Sequence, residues 1–508
     1  MEFLTDNLAP IMFGSLIFFL LSGFPVAFSL AANGILFALI GHELGLLDFV
    51  LLQAIPERIY GIMQNDTLLA IPFFTFMGII LQRSGMAEDL LESAGQLFGR
   101  VPGGLGYAVI LVGALLAATT GVVAASVISM GLISLPVMMR YKYHYPTAAG
   151  LLTGAGSLAQ IIPPSLVLIV LADVLSVSVK DAYTGALFPA LMVVSFLLIY
   201  MFVLSIVKPS MVPPLPEEAR TLRGSDLYIS ILTAMLPPVI LIFLVLGTIF
   251  IGWATPTEGG AMGAVGALLL SILRRRLTWD VTKSALDSTA KLSTFVMFIL
   301  VGSSIFALSF RAINGDLWIE HLFSFIPGGE MGFVLFVSVI VFILGFFIDF
   351  FEIAFILMPL IGPVAQNMGI DMIWFLVLVG LNMSMSFLTP PFGFALFYLR
   401  SVAPKDDYQD AVTGENIHGM KTQDIYKGAI PFILIMLLSL TLIFLFPEIV
   451  TYNLDPALDV DLNSISISLD GDSWANDAGG DSAAGDSAGG ETSSESGGDN
   501  WGASDPWK

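Results

Sequence analysis

Four stretches of this chain run for sixteen to eighteen residues without a charge: ALMVVSFLLIYMFVLSIV, PPVILIFLVLGTIFIGW, FVLFVSVIVFILGFFI and AIPFILIMLLSLTLIFLF. Each approaches the ~20 apolar residues that cross a hydrocarbon core. In lipid every backbone N–H and C=O must be paired within the protein, and runs of this length without polar alternation do so as helices. The rest of the chain agrees: 56% of its residues are hydrophobic and 12% charged, about half the charge of an ordinary soluble domain. By run length the chain is an all-α polytopic membrane protein with roughly ten to twelve embedded segments. MEFLTDNLAPIMFGSLIFFLL has no Lys or Arg ahead of its apolar run, so it is expected to stay as a span and not to be cleaved as a signal peptide. Cysteine is absent, which excludes disulfides, thiolate metal sites and cysteine nucleophiles.

The net charge of −21 does not describe the membrane body, because residues 451–508 hold ten Asp and two Glu against Lys508 and supply −11 of it. That segment is rich in Gly, Ser and Asp and is expected to be a disordered, solubilising tail. Partner binding through Trp474, Trp501 and Trp507 is the lesser reading.

Basic residues group by loop. Sixteen of the twenty lie near 83–104, 140–146, 208–227, 274–291 and 400–427; the alternate loops hold Arg58, Lys180, Arg311 and Lys508. Cytoplasmic loops collect Lys and Arg, so the first set is expected inside and both termini outside, the tail periplasmic. RRR at 274–276 then reads as a topology anchor, and no nucleic-acid partner is expected.

AQIIPPSLVLIVLAD (159–173) and SFLTPPFGFALFYLR (386–400) both place Pro-Pro inside an apolar run, at an offset of 227, and VPGGLGYAVIL (101–111) resembles IPGGEMGFVLF (326–336) at an offset of 225. The loop after the first copy's apolar stretch is basic (RYKYHYP) and its counterpart is not (AQNMGID), whereas past the proline pairs the bias swaps. The two copies therefore point oppositely through the membrane. One Pro-Pro reads as a kink in a buried helix; a matched inverted pair reads as the broken-helix architecture of secondary transporters, with substrate and ions at the repeat interface. The stretch between PGG and each short loop starts and ends on one side, which implies a re-entrant hairpin turning near ATTGVVAAS in the first copy and near Asp349 and Glu352 in the second. The expected divisions are 1–66 scaffold helices; 67–207 first repeat (hairpin about 105–139, broken helix about 147–175); 208–289 loop and scaffold helices; 290–450 second repeat (hairpin about 332–365, broken helix about 372–400); and 451–508 tail.

A helix that stops inside the membrane ends in free carbonyl oxygens, and its continuation begins with free N–H groups. The carbonyls, with Thr and Ser hydroxyls, suit a hard cation such as Na⁺, and the N–H ends suit a carboxylate. The candidate cation ligands are Thr119, Thr120, Gly121, Ser126, Gly154, Ser157 and Pro163 at the first break and Asp349, Asn382, Thr389, Pro390 and Gly393 at the second. Thr120, Ser126, Asp349, Glu352 and Ser386 are the candidate substrate contacts. A carboxylate in a membrane interior is a functional candidate by default, while the same residue on a wet turn costs little; both readings stand for Asp349 and Glu352. His42, His144, His321 and His418 form no HExxH pair, and there is no phosphate-binding GxxxxGK[ST] loop. Hence neither a zinc protease nor an ATPase is expected, and the energy should come from an ion gradient. No tightly bound cofactor is expected. A polytopic membrane enzyme would need paired catalytic residues, and none are evident.

GFPVAFSL, LLAIPFFTFMGIILQRSGMAEDLLESAGQLFGRVPGGLGYAVILVGALLAATTG, AQIIPPSLVLIVLADV, GTIFIGWATPTEGGAMGAVGAL and NMSMSFLTPPFGFALF, in this order over about residues 10–450, resemble the large membrane subunit of tripartite ATP-independent periplasmic (TRAP) transporters. FFIDFFEIAFILMPLIGP and TPPFGFALFYLRSVAP are similar to its mannitol/chloroaromatic-type branch. The resemblance implies an inverted-repeat elevator in a bacterial inner membrane, driven by Na⁺ and importing an organic acid. It also implies a periplasmic substrate-binding protein and a small four-helix membrane subunit as partners, the latter expected on a separate chain. Many members carry Ser-Gly-Ser at the first hairpin tip, where this chain has TTGVV, and Asp-Pro-Thr at the second, where Asp349 is followed by FFE. A stand-alone ion-coupled carboxylate transporter is the nearest alternative.

Overall fold

The structure is a computed structural model that describes residues 5–454 apart from 6, 221, 223 and 411. The acidic segment expected to be disordered lies almost wholly outside the described residues. Apart from one two-residue ribbon, the described chain is helical. The first half comprises α1 (Leu8–Leu21), α2 (Val26–Glu43), α3 (Ala54–Met63), α4 (Ala70–Arg83), α5 (Met86–Phe98), α6 (Gly104–Thr120), α7 (Val123–Arg140), α8 (Tyr145–Ser157), α9 (Leu166–Val174) and α10 (Val179–Val207). The second comprises α11 (Ser225–Ile251), α12 (Pro256–Leu273), α13 (Trp279–Ala312), α14 (Gly315–Ser324), α15 (Gly329–Leu344), α16 (Phe350–Ile356), α17 (Met358–Asn367), α18 (Met372–Ser386), α19 (Phe394–Val402) and α20 (Thr422–Leu445), followed by α21 (Glu448–Thr451). The ribbon, β1 (Tyr408–Gln409) and β2 (Asn416–Ile417), lies between α19 and α20.

Local chemistry sets the helix ends. Thr255 and Glu258 form a capping box ahead of Pro256, which has no N–H to leave unpaired at the first turn of α12. Asp371 caps α18 by accepting from Trp374 N at 2.8 Å, and Thr278 caps α13 by accepting from Val281 N at 3.2 Å. Among the described residues, eight helices are long and apolar enough to cross a membrane, nine if the bent pair α16 and α17 is one span. The larger number of segments read from the sequence includes shorter apolar helices such as α6, α15 and α18, which stop short of a full crossing.

The two halves repeat one packing plan. α2 packs on α13 as α12 packs on α4; α8 packs on α20 as α18 packs on α10; α1 lies on α2 as α11 lies on α12. The correspondence therefore starts at α1 and α11, upstream of the expected boundaries at 67 and 290, where no motif repeats. It also crosses over. α9 packs on α16, α17 and α18 of the second half, and α19 packs on α7 and α8 of the first. Neither half can bury its own broken helix alone.

The five basic loops meet one another, with His144 N donating to Met211 O at 2.9 Å to join the two groups that the following bonds make. Asp89 pairs with Arg274 at 3.0 Å and Arg276 at 3.1 Å, Arg140 pairs with Asp410, and Leu215 N donates to Gly99 O at 2.9 Å. The grouping made from charge alone is thus a single end of the molecule.

Small residues allow the closest helix contacts. An added Cβ at Gly428 of α20 would meet the Pro146 carbonyl and come within 3.0 Å of Gly150 N, whereas one at Gly247 of α11 meets nothing within 4 Å. Overpacking against backbone typically costs about 1–3 kcal/mol. Gly428→Val is therefore expected to lower the melting temperature in detergent by several degrees, and Gly247→Val to leave it within error.

Candidate functional site

The first hairpin is α6 and α7. Its two ends meet: Gly103 N donates to Val212 O at 2.7 Å and His144 N to Met211 O at 2.9 Å. Its turn lies in the buried interior. Gly121 ends α6 with φ +60°, a conformation that a side chain disfavours. Thr119 and Thr120 donate their hydroxyls to Leu116 O, both at 2.9 Å, and Thr120 Oγ1 lies 2.8 Å from Ser126 Oγ. An added Cβ on Gly121 would sit 3.2 Å from Leu166 N, so the tip abuts the start of α9.

That start is one side of the first break. α8 ends at Ser157, a 3-10 turn covers Leu158–Gln160, and the helix resumes at Leu166 past Pro163 and Pro164. Ser165 bridges the gap: its hydroxyl donates to Gln160 O at 2.7 Å and accepts from Val167 N at 3.2 Å. The Gln160 side chain is fully buried, and neither its Oε1 nor its Nε2 has a hydrogen-bond partner. Leaving such a group unpaired costs roughly 1–3 kcal/mol, which calls for an explanation.

The second half repeats the juxtaposition. α15 gives way to residues 345–349, and the chain returns as α16 and α17, bent by 53° between them. An added Cβ on Gly345 would strike the Ser386 hydroxyl, at the end of α18 where the second break begins. The Phe347 and Phe392 rings meet across the same boundary, tilted by 59° with centroids 5.5 Å apart. α18 stops at Ser386 and α19 starts at Phe394, with Thr389, Pro390 and Gly393 in the gap. The peptide bonds within both Pro-Pro pairs are cis. Asn382 is buried, donates Nδ2 to Ser338 O at 2.6 Å, and leaves Oδ1 unpartnered.

Of the candidates, Thr119, Thr120, Gly121 and Ser126 converge at the first tip and Ser386 lies at the second, while Asn382, one turn earlier on α18, reaches Ser338 within α15 and not the tip. Ser157 is buried and donates to Gly154 O at 2.9 Å. Gly154 faces α20, where an added Cβ would meet the Phe432 ring; close packing accounts for it, and it is turned away from the break. Thr389 donates its hydroxyl to Met385 O at 2.9 Å. Asp349 and Glu352, both half-buried, form the capping box of α16, with Asp349 N donating to Glu352 Oε2 at 3.3 Å. The pair thus has a local task that the spacing D-x-x-E announces. Gln160 was not among the candidates. Its signal was an amide three residues ahead of a Pro-Pro in an otherwise apolar run.

Each hairpin rests on a long helix outside the site. An added Cβ on Gly78 of α4 would lie 2.5 Å from Thr119 O, and Gln82 donates to Ser129 Oγ at 2.6 Å. On the other side Ser303 of α13 donates to Phe355 O. α4 and α13 pack on each other, so the two hairpin mounts share one central support.

Residues 13–449 match the family described as tripartite ATP-independent periplasmic transporter, DctM component. The chain belongs to the DctM family. The C4-dicarboxylate TRAP transporter large permease protein DctM of Pseudomonas aeruginosa is 29% identical over 78% of this chain and 88% of its own length. The sialic acid TRAP transporter large permease protein SiaM of Vibrio cholerae and the 2,3-diketo-L-gulonate TRAP transporter large permease protein YiaN of Escherichia coli are each 26% identical over 84% of this chain and 94% of their own. The fold is similar to that of the Alcanivorax borkumensis YdaH transporter, at 15% identity and a TM-score of 0.55, covering 79% of this chain and 90% of that one. This DctM-family protein is a large permease subunit, a multi-pass bacterial membrane protein and not an enzyme.

A buried amide that the fold leaves unpaired is a candidate ligand contact, which substitution can test. Gln160→Leu removes the unpaired atoms at similar volume. It is expected to leave the melting temperature unchanged or raised while cutting uptake by about tenfold, the equivalent of one lost polar contact.

Proposed function

We propose that this permease imports an organic acid by Na⁺-coupled secondary transport, with substrate delivered by a periplasmic binding protein and a small four-helix membrane subunit beside it. The observation that carries the reading is the pair of matched assemblies, each a hairpin turn pressed on a helix break with a buried amide oxygen left unpaired, Gln160 Oε1 at one and Asn382 Oδ1 near the other. Neutral oxygen donors and free helix carbonyls fit a monovalent hard cation that must be released again each cycle. The resumed helices α9 and α19 offer N–H ends to a carboxylate. C4-dicarboxylate, sialic acid and diketogulonate, for which the relatives are named, share that carboxylate. The mannitol/chloroaromatic-type branch stays our assignment from the FFIDFFEIAF and TPPFGFALF motifs, and it names no substrate.

The motion is an elevator. The hairpins and broken helices interlock across the halves and slide as one body against α4 and α13. The basic end faces the cytoplasm and both termini the periplasm. Two cavities flank Glu88 at the basic end, of about 500 and about 600 Å³; the larger is lined by Gln82, Ser129 and Arg276, and the smaller by Ser134 and Arg140. They follow α7 toward Ser126 and serve as the inward release route.

Reconstitution in liposomes with the small subunit tests the function. Uptake is expected to require both the binding protein and an inward Na⁺ gradient; uptake indifferent to the binding protein would identify a stand-alone carrier, and indifference to Na⁺ would remove the coupling. The sliding is tested separately. In a chain without cysteine, joining Gln82→Cys to Ser129→Cys with a short bifunctional thiol reagent is expected to arrest uptake, and reagent that leaves uptake intact would refute a boundary there.

A further inference from the structure

The loop between α19 and α20, residues 403–421, is folded and sits on the base of the first hairpin. β1 and β2 pair antiparallel, Tyr408 with Ile417 and Gln409 with Asn416. Asp410, following β1, is buried and its carboxylate is heavily used. Val412 N at 3.2 Å, Thr413 N at 2.8 Å and Thr413 Oγ1 at 2.8 Å donate to its Oδ2. Arg140, the last residue of α7, adds Nε to both oxygens at 3.0 and 2.9 Å and Nη2 to Oδ1 at 2.9 Å. The Arg140 guanidinium, and after it the Thr413 donors, hold the Asp410 carboxyl well below the usual carboxylate range. The pair therefore stays charged through the physiological range, and its contribution is lost only as pH falls through that depressed value.

Around this bond the loop is fastened further. Lys142 pairs with Glu415 at 3.4 Å, Tyr145 donates its hydroxyl to His418 O at 2.9 Å, and Arg400 donates to Met420 O at 2.6 Å. The end of α7, the first turn of α8 and the last turn of α19 thus share one ribbon. The matching connection in the first half, residues 175–178 between α9 and α10, is too short to fold a ribbon.

α7 carries Arg140 at its last turn and Ser126 in its first, about 21 Å apart at 1.5 Å per residue. α7 runs without interruption from Val123 to Arg140, Pro136 included, so what fixes Arg140 bears on where Ser126 stands, and through the 2.8 Å contact with Ser126 on Thr120 at the end of α6. We infer that the 403–421 ribbon is a clamp, with Arg140 and Asp410 as positioning residues that lock the first hairpin to the second half's broken helix and keep the Thr120–Ser126 tip in register with the first break. The inference rests on the transport reading above and adds that the hairpin base and the ribbon never separate during the cycle.

The test uses the full chain reconstituted with its small subunit, at matched amounts of folded protein. Asp410→Asn removes the charge and keeps an oxygen for Thr413; Arg140→Lys keeps the charge and loses the two-pronged geometry. Each is expected to raise the half-saturating Na⁺ concentration, by about threefold to thirtyfold for the former and less for the latter, with a smaller change in maximal rate. Arg140→Cys with Asp410→Cys should behave like Asp410→Asn until a short bifunctional thiol reagent joins the two thiols, and then return close to the wild-type value. Unchanged half-saturation in the variants overturns the clamp, as does arrest of uptake on joining the thiols. Wild-type uptake that ignores Na⁺ overturns the transport reading instead, so the two failures are distinct.

Discussion

Everything in this molecule follows from stopping a helix where water cannot reach the ends. In a spanning helix each carbonyl is paired four residues on; at Gln160 and at Ser386 the chain ends that pairing inside the protein and must find other partners. Ser165 supplies some at the first break, donating to one carbonyl and accepting from one amide. At the second, the backbone closes on itself through Ala395 N to Phe387 O at 3.1 Å. A hairpin turn shields each gap: Gly121, held at φ +60°, lies tightly against Leu166, and Gly345 lies against Ser386 with no room for a side chain unless Ser386 moves. The shielding hairpins need support in turn, and α4 and α13 provide it. Site, shield and support form one chain of necessity.

Much of this was readable beforehand because it is written in residues that tolerate few alternatives. A proline pair alone does not decide the matter, since Pro237 and Pro238 lie inside the unbroken α11; it was the matched positions of the pairs at 163 and 390, together with charge that follows topology, that made the two breaks and the grouping of the basic loops readable from the chain. The upstream limits of the repeat could not. α1 and α11, or α2 and α12, correspond through packing partners and share no motif, since apolar helices facing lipid and one another accept many sequences. The local surroundings of individual candidates were less readable. Gly154 looked like part of a cation site because it is a small residue near a break, yet its smallness serves the Phe432 ring. Asp349 and Glu352 drew attention as membrane carboxylates, and their spacing serves the cap of α16. Gln160 went unnoticed because an amide in an apolar run becomes conspicuous only once its neighbours are known to leave it unpaired.

The crossed packing of the halves bears on how such a protein can fail. α9 is covered by α16, α17 and α18, and α19 by α7 and α8, so neither first-half nor second-half helices are complete when made. Until the second half is inserted, the first break is covered by its own hairpin and α10 but lacks α16, α17 and α18 on the other side of α9. Assembly is therefore cooperative between distant parts of the sequence, and damage at α18 is felt at α9.

The central support is itself uneven. α13 is an unbroken helix of 34 residues, while its counterpart is divided into α3 and α4 at residues 64–69, and there Asn65 donates to Asp173 at the end of α9, 2.6 Å away. A beam and a jointed arm do not bend alike under the same load. The arm bears on the first hairpin and the beam on the second, so this joint gives the halves different stiffness, and a repeat that looks symmetric in its order of helices is a lever with one compliant side.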